Sequence, residues 1–126
     1  MAPPVKDRDD PEGAIQKGVA KELRTRGMPG VFAFHPMNEG KRRNSTQHAN
    51  NGLVAGVPDW VLIRDGRAYT LELKRLSTKL SMKQVAVHAQ LRAAGVETYT
   101  AYGIHDALQW LERNGFLKPD VGEIAA

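Results

Sequence analysis

Two carboxylates and an ammonium group stand where a single hairpin can bring them together. Val57 to Arg64 and Arg67 to Lys74 both read as strands, and Asp65-Gly66 between them is a favoured two-residue turn. In such a hairpin Arg64 faces Arg67, facing positions sum to a constant, and Asp59 falls opposite Glu72. Counted outward from the turn, that pair occupies a non-hydrogen-bonded site, where Cα atoms stand only about 4.5 Å apart and side chains are closest. Lys74, two residues past Glu72, points to the same sheet face. The opposite face carries Trp60, Leu62, Tyr69, Leu71 and Leu73, an apolar set expected to enter the core.

Like charges opposed on a sheet are destabilising. Something must offset Asp59 against Glu72: a cation, a shared proton, or Lys74 itself. A hard divalent ion takes oxygen ligands and commonly uses one or two carboxylates together with water and phosphate oxygens. It would acidify a bound water and stabilise charge on a phosphodiester in transit. The other reading is a salt-bridged cluster in which Lys74 neutralises one acid, and residue types alone leave both open. A bulge in either strand would shift the register.

The elements around this hairpin follow from periodicity and punctuation. Asp10 before Pro11 is a helix start with an N-cap acceptor and proline at the first helical position. Ile15, Val19 and Leu23 then recur at helical spacing, so a helix is expected over Pro11 to Arg26, stopped by Gly27 and Pro29. Val31 to Phe34 reads as a short strand. From Asn38 to Gly52 the chain is polar, with Lys41-Arg42-Arg43 at its centre, and is expected to form a long functional loop. Ser81 with Gln84 three residues on is a capping box opening a helix that Gly95 ends. Val96 to Tyr102 reads as a strand, and Ile104, Leu108 and Leu111 mark a last helix ending by Gly115. The expected organisation is a flexible segment over 1–10, one domain over 11–115 and a tail over 116–126.

The whole chain has 126 residues, a formal charge of +4 and no cysteine. That length suits one domain with a modest core. Without Cys there is no disulfide scaffold, thiolate zinc site or cysteine nucleophile. His35, His48, His88 and His105 lack zinc-like spacing, and of them only His48, inside the basic loop, invites a functional reading. No apolar run is long enough to span a membrane, and the first residues do not resemble a signal peptide. The expectation is a cytoplasmic protein, bacterial or from a phage-infected cell. The charge is unevenly spread: residues 1–40 balance to zero, residues 41–92 carry +7, and residues 93–126 carry −3. A basic zone of that kind is the footprint of a polyanion partner, or else a solvated face.

Gly56-Val57-Pro58-Asp59 followed by Glu72-Leu73-Lys74 resembles the Pro-Asp…Asp/Glu-x-Lys signature of restriction-endonuclease-like nucleases. Glu12 and Gln16, the Asn38-Glu39-Gly40-Lys41-Arg42 stretch, Lys79-x-Ser81-x-x-Gln84 and Gly95 extend the resemblance to the VRR-NUC subfamily, over about residues 11–111. The resemblance implies an α/β fold, a single restriction-endonuclease-like domain whose mixed central β-sheet carries the catalytic hairpin and is flanked by helices. It implies a Mg²⁺-dependent DNA endonuclease, with Mn²⁺ as substitute, acting on branched DNA as Holliday-junction resolvases do and as a homodimer. By the same resemblance Asp59, Glu72, the backbone carbonyl of Leu73 and Glu12 are metal ligands. Lys74 is the lysine that orients or activates the attacking water, and Gln84 helps arrange the site. Lys41, Arg42, Arg43, Arg75 and Lys79 are expected to contact DNA. Two rivals remain beside the enzyme: a non-catalytic nucleic-acid-binding module, and an assembly protein whose acidic pair is structural.

Overall fold

The computed structural model describes residues 8–36 and 52–120. Helix α1 (Glu12–Arg26) and strand β1 (Phe32–Phe34) come before a hairpin of β2 (Trp60–Arg64) and β3 (Arg67–Lys74). Then follow α2 (Met82–Ala93), β4 (Glu97–Tyr102) and α3 (Ile104–Arg113). The strands lie in the order β1-β2-β3-β4, with β1–β2 and β2–β3 antiparallel and β3–β4 parallel, so the sheet is mixed as expected. The parallel pair exists because α2 carries the chain back along the sheet, which no tight turn could do.

The hairpin is set by its turn. Asp65 and Gly66 both adopt positive φ, 52° and 74°, as a type I′ turn requires. Arg64 therefore pairs with Arg67 and, at the far end, Trp60 with Leu71. Leu62, Leu71 and Leu73 join Ile15 and Val19 of α1 and Ala107, Trp110 and Leu111 of α3 in one apolar core. On the other face of β3, α2 reaches down with Gln84 and His88 to Glu72. Covered from both sides, β3 is buried from Tyr69 through Lys74, polar residues included. The polar ones are paired: Thr70 donates to Thr98 across the parallel ladder at 2.8 Å, and Glu72 and Lys74 belong to the site.

Two boundaries differ from expectation. Helix α1 is capped by Pro11 in an extended conformation with no side-chain cap, and the amides of Ala14 and Ile15 bond to the Pro11 carbonyl. Asp10 is instead drawn to Arg8, 3.7 Å away, and Glu12 in the first turn supplies the negative charge that the helix dipole favours. At the other end, the stretch expected to start a tail packs inward: Phe116 and Leu117 are buried. Gly115, at φ 77°, turns the chain back, so that Met28 donates to the Phe116 carbonyl and Lys118 to that of Arg26. Phe116 then sits edge-on to Tyr69 and beside Trp110. The structured unit thus runs past Gly115.

Candidate active site

The site lies where β2 stops and β3 continues. The ladder ends at Trp60 and Leu71, one pair short of Asp59 and Glu72. The cause is Pro58: extending the register sets it opposite Leu73, and proline has no N–H to offer. The Leu73 amide bonds instead to Asp59 Oδ2 at 2.7 Å. In an extended strand a residue's N–H and C=O project to the same edge, so the Leu73 carbonyl also faces Asp59, where no Pro58 N–H can claim it. The Pro-Asp pair thereby turns a ladder position into a carboxylate fixed beside a backbone carbonyl. His35, just after β1, adds a contact from the far side, its Nδ1 2.5 Å from the Asp59 carbonyl oxygen.

Helix α2 supplies the second wall. The capping box at its start is complete: Ser81 Oγ accepts from the Gln84 amide at 3.1 Å, and Gln84 Oε1 accepts from the Ser81 amide at 2.8 Å. The same Gln84 donates through Nε2 to Glu72 Oε2 at 3.3 Å and accepts from Lys74 Nζ at 3.5 Å. A single side chain caps the helix and bridges Glu72 to Lys74. The approach of α2 depends on Gly56, whose φ is 88°. A Cβ there would lie 2.8 Å from the Lys83 carbonyl oxygen and 3.1 Å from the Gln84 amide nitrogen. From α1, Glu12 Oε2 forms an ion pair with Lys74 Nζ at 3.4 Å, and Gln16 accepts from the Trp60 indole at 2.6 Å.

Glu72 is only 2% exposed. Burial, then hydrogen-bonding contact with Asp59 and its charge, push the carboxyl up to about 9; Lys74 opposes the shift and Glu12 adds to it. The two acids are therefore held together, with Glu72 favoured as the protonated carboxylic acid. His88 lies on the same helix face, one turn beyond Gln84. It is 1% exposed, with Nε2 3.0 Å from Glu72 Oε1. Burial, assisted by the charge of Arg92, pushes its pKa down, so the contact is a hydrogen bond of a neutral imidazole rather than an ion pair.

The structure thus gathers Asp59, Glu72, Leu73, Lys74, Gln84 and Glu12 in one place. Glu12, expected as a metal ligand, forms its ion pair with Lys74; among the described residues no three His, Cys, Asp or Glu side chains form a ligand cluster. Arg75, expected on DNA, is tied to Asp9, which accepts from its guanidinium at 3.3 Å and from Ser77 Oγ at 2.6 Å. Lys79 is exposed. Lys41, Arg42, Arg43 and His48 lie outside the described residues. Sequence reasoning passed over His88, although its spacing of four from Gln84 was a signal that both side chains share one helix face. It also passed over His35, which only the β1–β2 pairing brings to Asp59.

The donors available to an ion are oxygen atoms: the carboxylates of Asp59 and Glu72 and the Leu73 carbonyl at their edge. That set fits one hard divalent cation, with water and phosphate oxygens completing its shell, and it does not fit a soft metal. A cation there would also offset the burial and the Asp59 charge that together raise the Glu72 pKa.

No family model matches the chain, and no characterised protein matches it by sequence. Solved structures do match. One titled VRR_NUC domain superposes with a TM-score of 0.56 at 20% identity, covering 80% of this chain and 94% of its own length. Another, titled VRR_NUC domain protein, reaches a TM-score of 0.66 at 16% identity, covering 83% of this chain and 88% of its own.

Proposed function

Given that the chain has the fold of VRR-NUC domains, we propose that it is a divalent-metal-dependent DNA endonuclease. It hydrolyses phosphodiester bonds, acts on branched DNA in the manner of Holliday-junction resolvases, and works as a homodimer. The observation that carries this reading is the acid pair itself: a buried Glu72 forced against Asp59, with a pKa raised to about 9, beside Lys74. In the metal-free chain a proton on Glu72 relieves the pair; a divalent cation would take that proton's place and bind both acids.

Asp59 and Glu72 hold the ion, Mg²⁺ with Mn²⁺ as substitute, and the Leu73 carbonyl completes the protein's share. When bound, such an ion lowers the pKa of water and stabilises charge on a phosphodiester. The chain's own residues do the rest. Lys74 holds its ammonium between Glu12 and Gln84, where it orients the attacking water and balances the charge that develops on phosphorus oxygens. Glu12 keeps Lys74 extended toward the site. Gln84 locks Glu72 and Lys74 to one helix terminus. Lys41, Arg42, Arg43 and Lys79 contact phosphates, which positions DNA without reading its sequence. Two nicks on a symmetric junction call for two sites related by a two-fold axis, hence the dimer.

Incubating the protein with four-way-junction, flap and linear DNA, with and without Mg²⁺ or Mn²⁺, tests the reading. Cleavage of the junction that needs metal is expected, with a dimer by sedimentation. Binding without metal-dependent cleavage would identify a nucleic-acid-binding module instead, and cleavage by Asp59→Ala equal to wild type would remove the proposed centre.

A further inference from the structure

We propose that His88 is a positioning residue that holds the Glu72 carboxylate in the orientation in which it takes up a divalent cation. The inference rests on the metal-dependent reading above and assigns a task to a group that reading leaves idle.

Three observations lead to it. First, His88 sits in the interior at 1% exposure and its Nδ1 has no hydrogen-bond partner among the described residues. A buried imidazole with one nitrogen unsatisfied is desolvated at a cost, offset by the bond that its other nitrogen makes to Glu72 Oε1. The use of the imidazole lies in its other nitrogen.

Second, the tautomer follows from the orphaned atom. If Nε2 accepted a proton from Glu72, Nδ1 would carry an N–H buried with nothing to bond. If Nε2 carries the proton, only a bare lone pair is left, and Nε2–H donates to Glu72 Oε1 at 3.0 Å. The second assignment leaves no buried donor unsatisfied, so His88 is the donor.

Third, the donor does not act alone. Gln84 and His88 are four residues apart on α2, stacked on one face, and each gives one N–H to a different oxygen of Glu72: Gln84 to Oε2 at 3.3 Å, His88 to Oε1 at 3.0 Å. Two donors one helical turn apart grip both oxygens and fix the plane of the carboxyl group. Once the Glu72 proton has left, each oxygen keeps a further lone pair, and the carboxylate can receive a cation without first losing rotational freedom. Partners that orient ligands in this way change metal affinity by roughly ten- to a hundredfold.

The test compares His88→Leu, His88→Gln and His88→Asn in the full chain without DNA. Thermal melts in chelator report folding, and isothermal titration calorimetry with Mn²⁺ reports affinity. His88→Leu is expected to fold, with a lower melting temperature because Glu72 Oε1 loses its donor, and to bind Mn²⁺ about ten- to a hundredfold more weakly. His88→Gln, whose amide can reach Glu72, recovers part of the affinity, and His88→Asn, one methylene shorter, does not. A purely structural histidine gives a lower melting temperature with wild-type affinity, and that result overturns the proposal. Should His88→Leu fail to fold, the Gln and Asn variants decide it, equal affinities counting against. A wild type that binds no Mn²⁺, or an Asp59→Ala variant that binds it as well as wild type, overturns the metal reading itself.

Discussion

Buried beside Asp59, the Glu72 carboxyl can satisfy its surroundings either by keeping its proton or by taking up a cation. The raised pKa, about 9, makes that choice visible in stability. Between the ordinary carboxylate range and about 9, the folded chain holds a proton that the unfolded chain has released, so metal-free stability must fall as pH rises through that window. The melting temperature in chelator is therefore expected to drop from about pH 5 to about pH 9, with the slope flattened in Glu72→Gln and the stabilisation by Mg²⁺ growing with pH. An unchanged slope in Glu72→Gln would assign the titration elsewhere. The same residues set the activity prediction. Asp59→Ala, Glu72→Gln and Lys74→Met should each lower the cleavage rate roughly a hundred- to a thousandfold, since each removes charge placed for the transition state. Single-turnover assays at saturating DNA measure this; a loss confined to KM in Lys74→Met would make that lysine a binding group.

At the level of elements, the site is a consequence of where one strand is made to stop. Pro58 ends the β2 ladder and Gly56 lets the first turn of α2 press against the chain just before it, so both residues act on geometry and neither on chemistry. Gly56→Ala must strain a φ of 88° and push the Lys83 carbonyl, 2.8 Å from the new Cβ. The cost is about 1–3 kcal/mol in stability, and the displaced turn carries Gln84 away from Glu72. Gly13→Ala is the control: its Cβ meets nothing within 4 Å in exposed α1, so it should gain about 0.5–1 kcal/mol of stability. Melting curves and cleavage rates separate the two, and a Gly56→Ala variant with normal Mn²⁺ binding and activity would show the contact to be incidental. The sequence made the hairpin legible because Asp65-Gly66 is a local signal with a fixed register. The capping box at Ser81 was legible for the same reason, but its second use was not. That Gln84 reaches Glu72 and Lys74 depends on which sheet face α2 covers, a tertiary fact. His88 was missed on the same ground, since a lone histidine in a helix shows its role only when its neighbour across the sheet is known.

For the molecule as a whole, packing and charge divide the chain differently. Packing draws in Phe116 and Leu117, which lie beyond the last periodic helix; no repeat marks them, and only the return of the chain at Gly115 makes them core. Charge singles out residues 41–92, where the +7 excess lies and where Asp59 and Glu72 are two of the three acids. If that excess faces a DNA backbone, affinity must fall with salt, and each phosphate left without its cation should flatten the log–log slope by about 0.9. Replacing Lys41, Arg42 and Arg43 together by Ala is expected to flatten it by about 2–3. Arg75 makes the sharper comparison. Its guanidinium already rests on Asp9 at 3.3 Å, so its charge is engaged within the protein, and Arg75→Ala should change the slope by well under that single-phosphate value. Fluorescence anisotropy of labelled junction DNA over a range of salt, in Ca²⁺ to prevent cleavage, reads both. A slope untouched by the triple substitution would place the phosphates on another surface, and a full unit of slope removed by Arg75→Ala would mean that DNA displaces Asp9 from its partner.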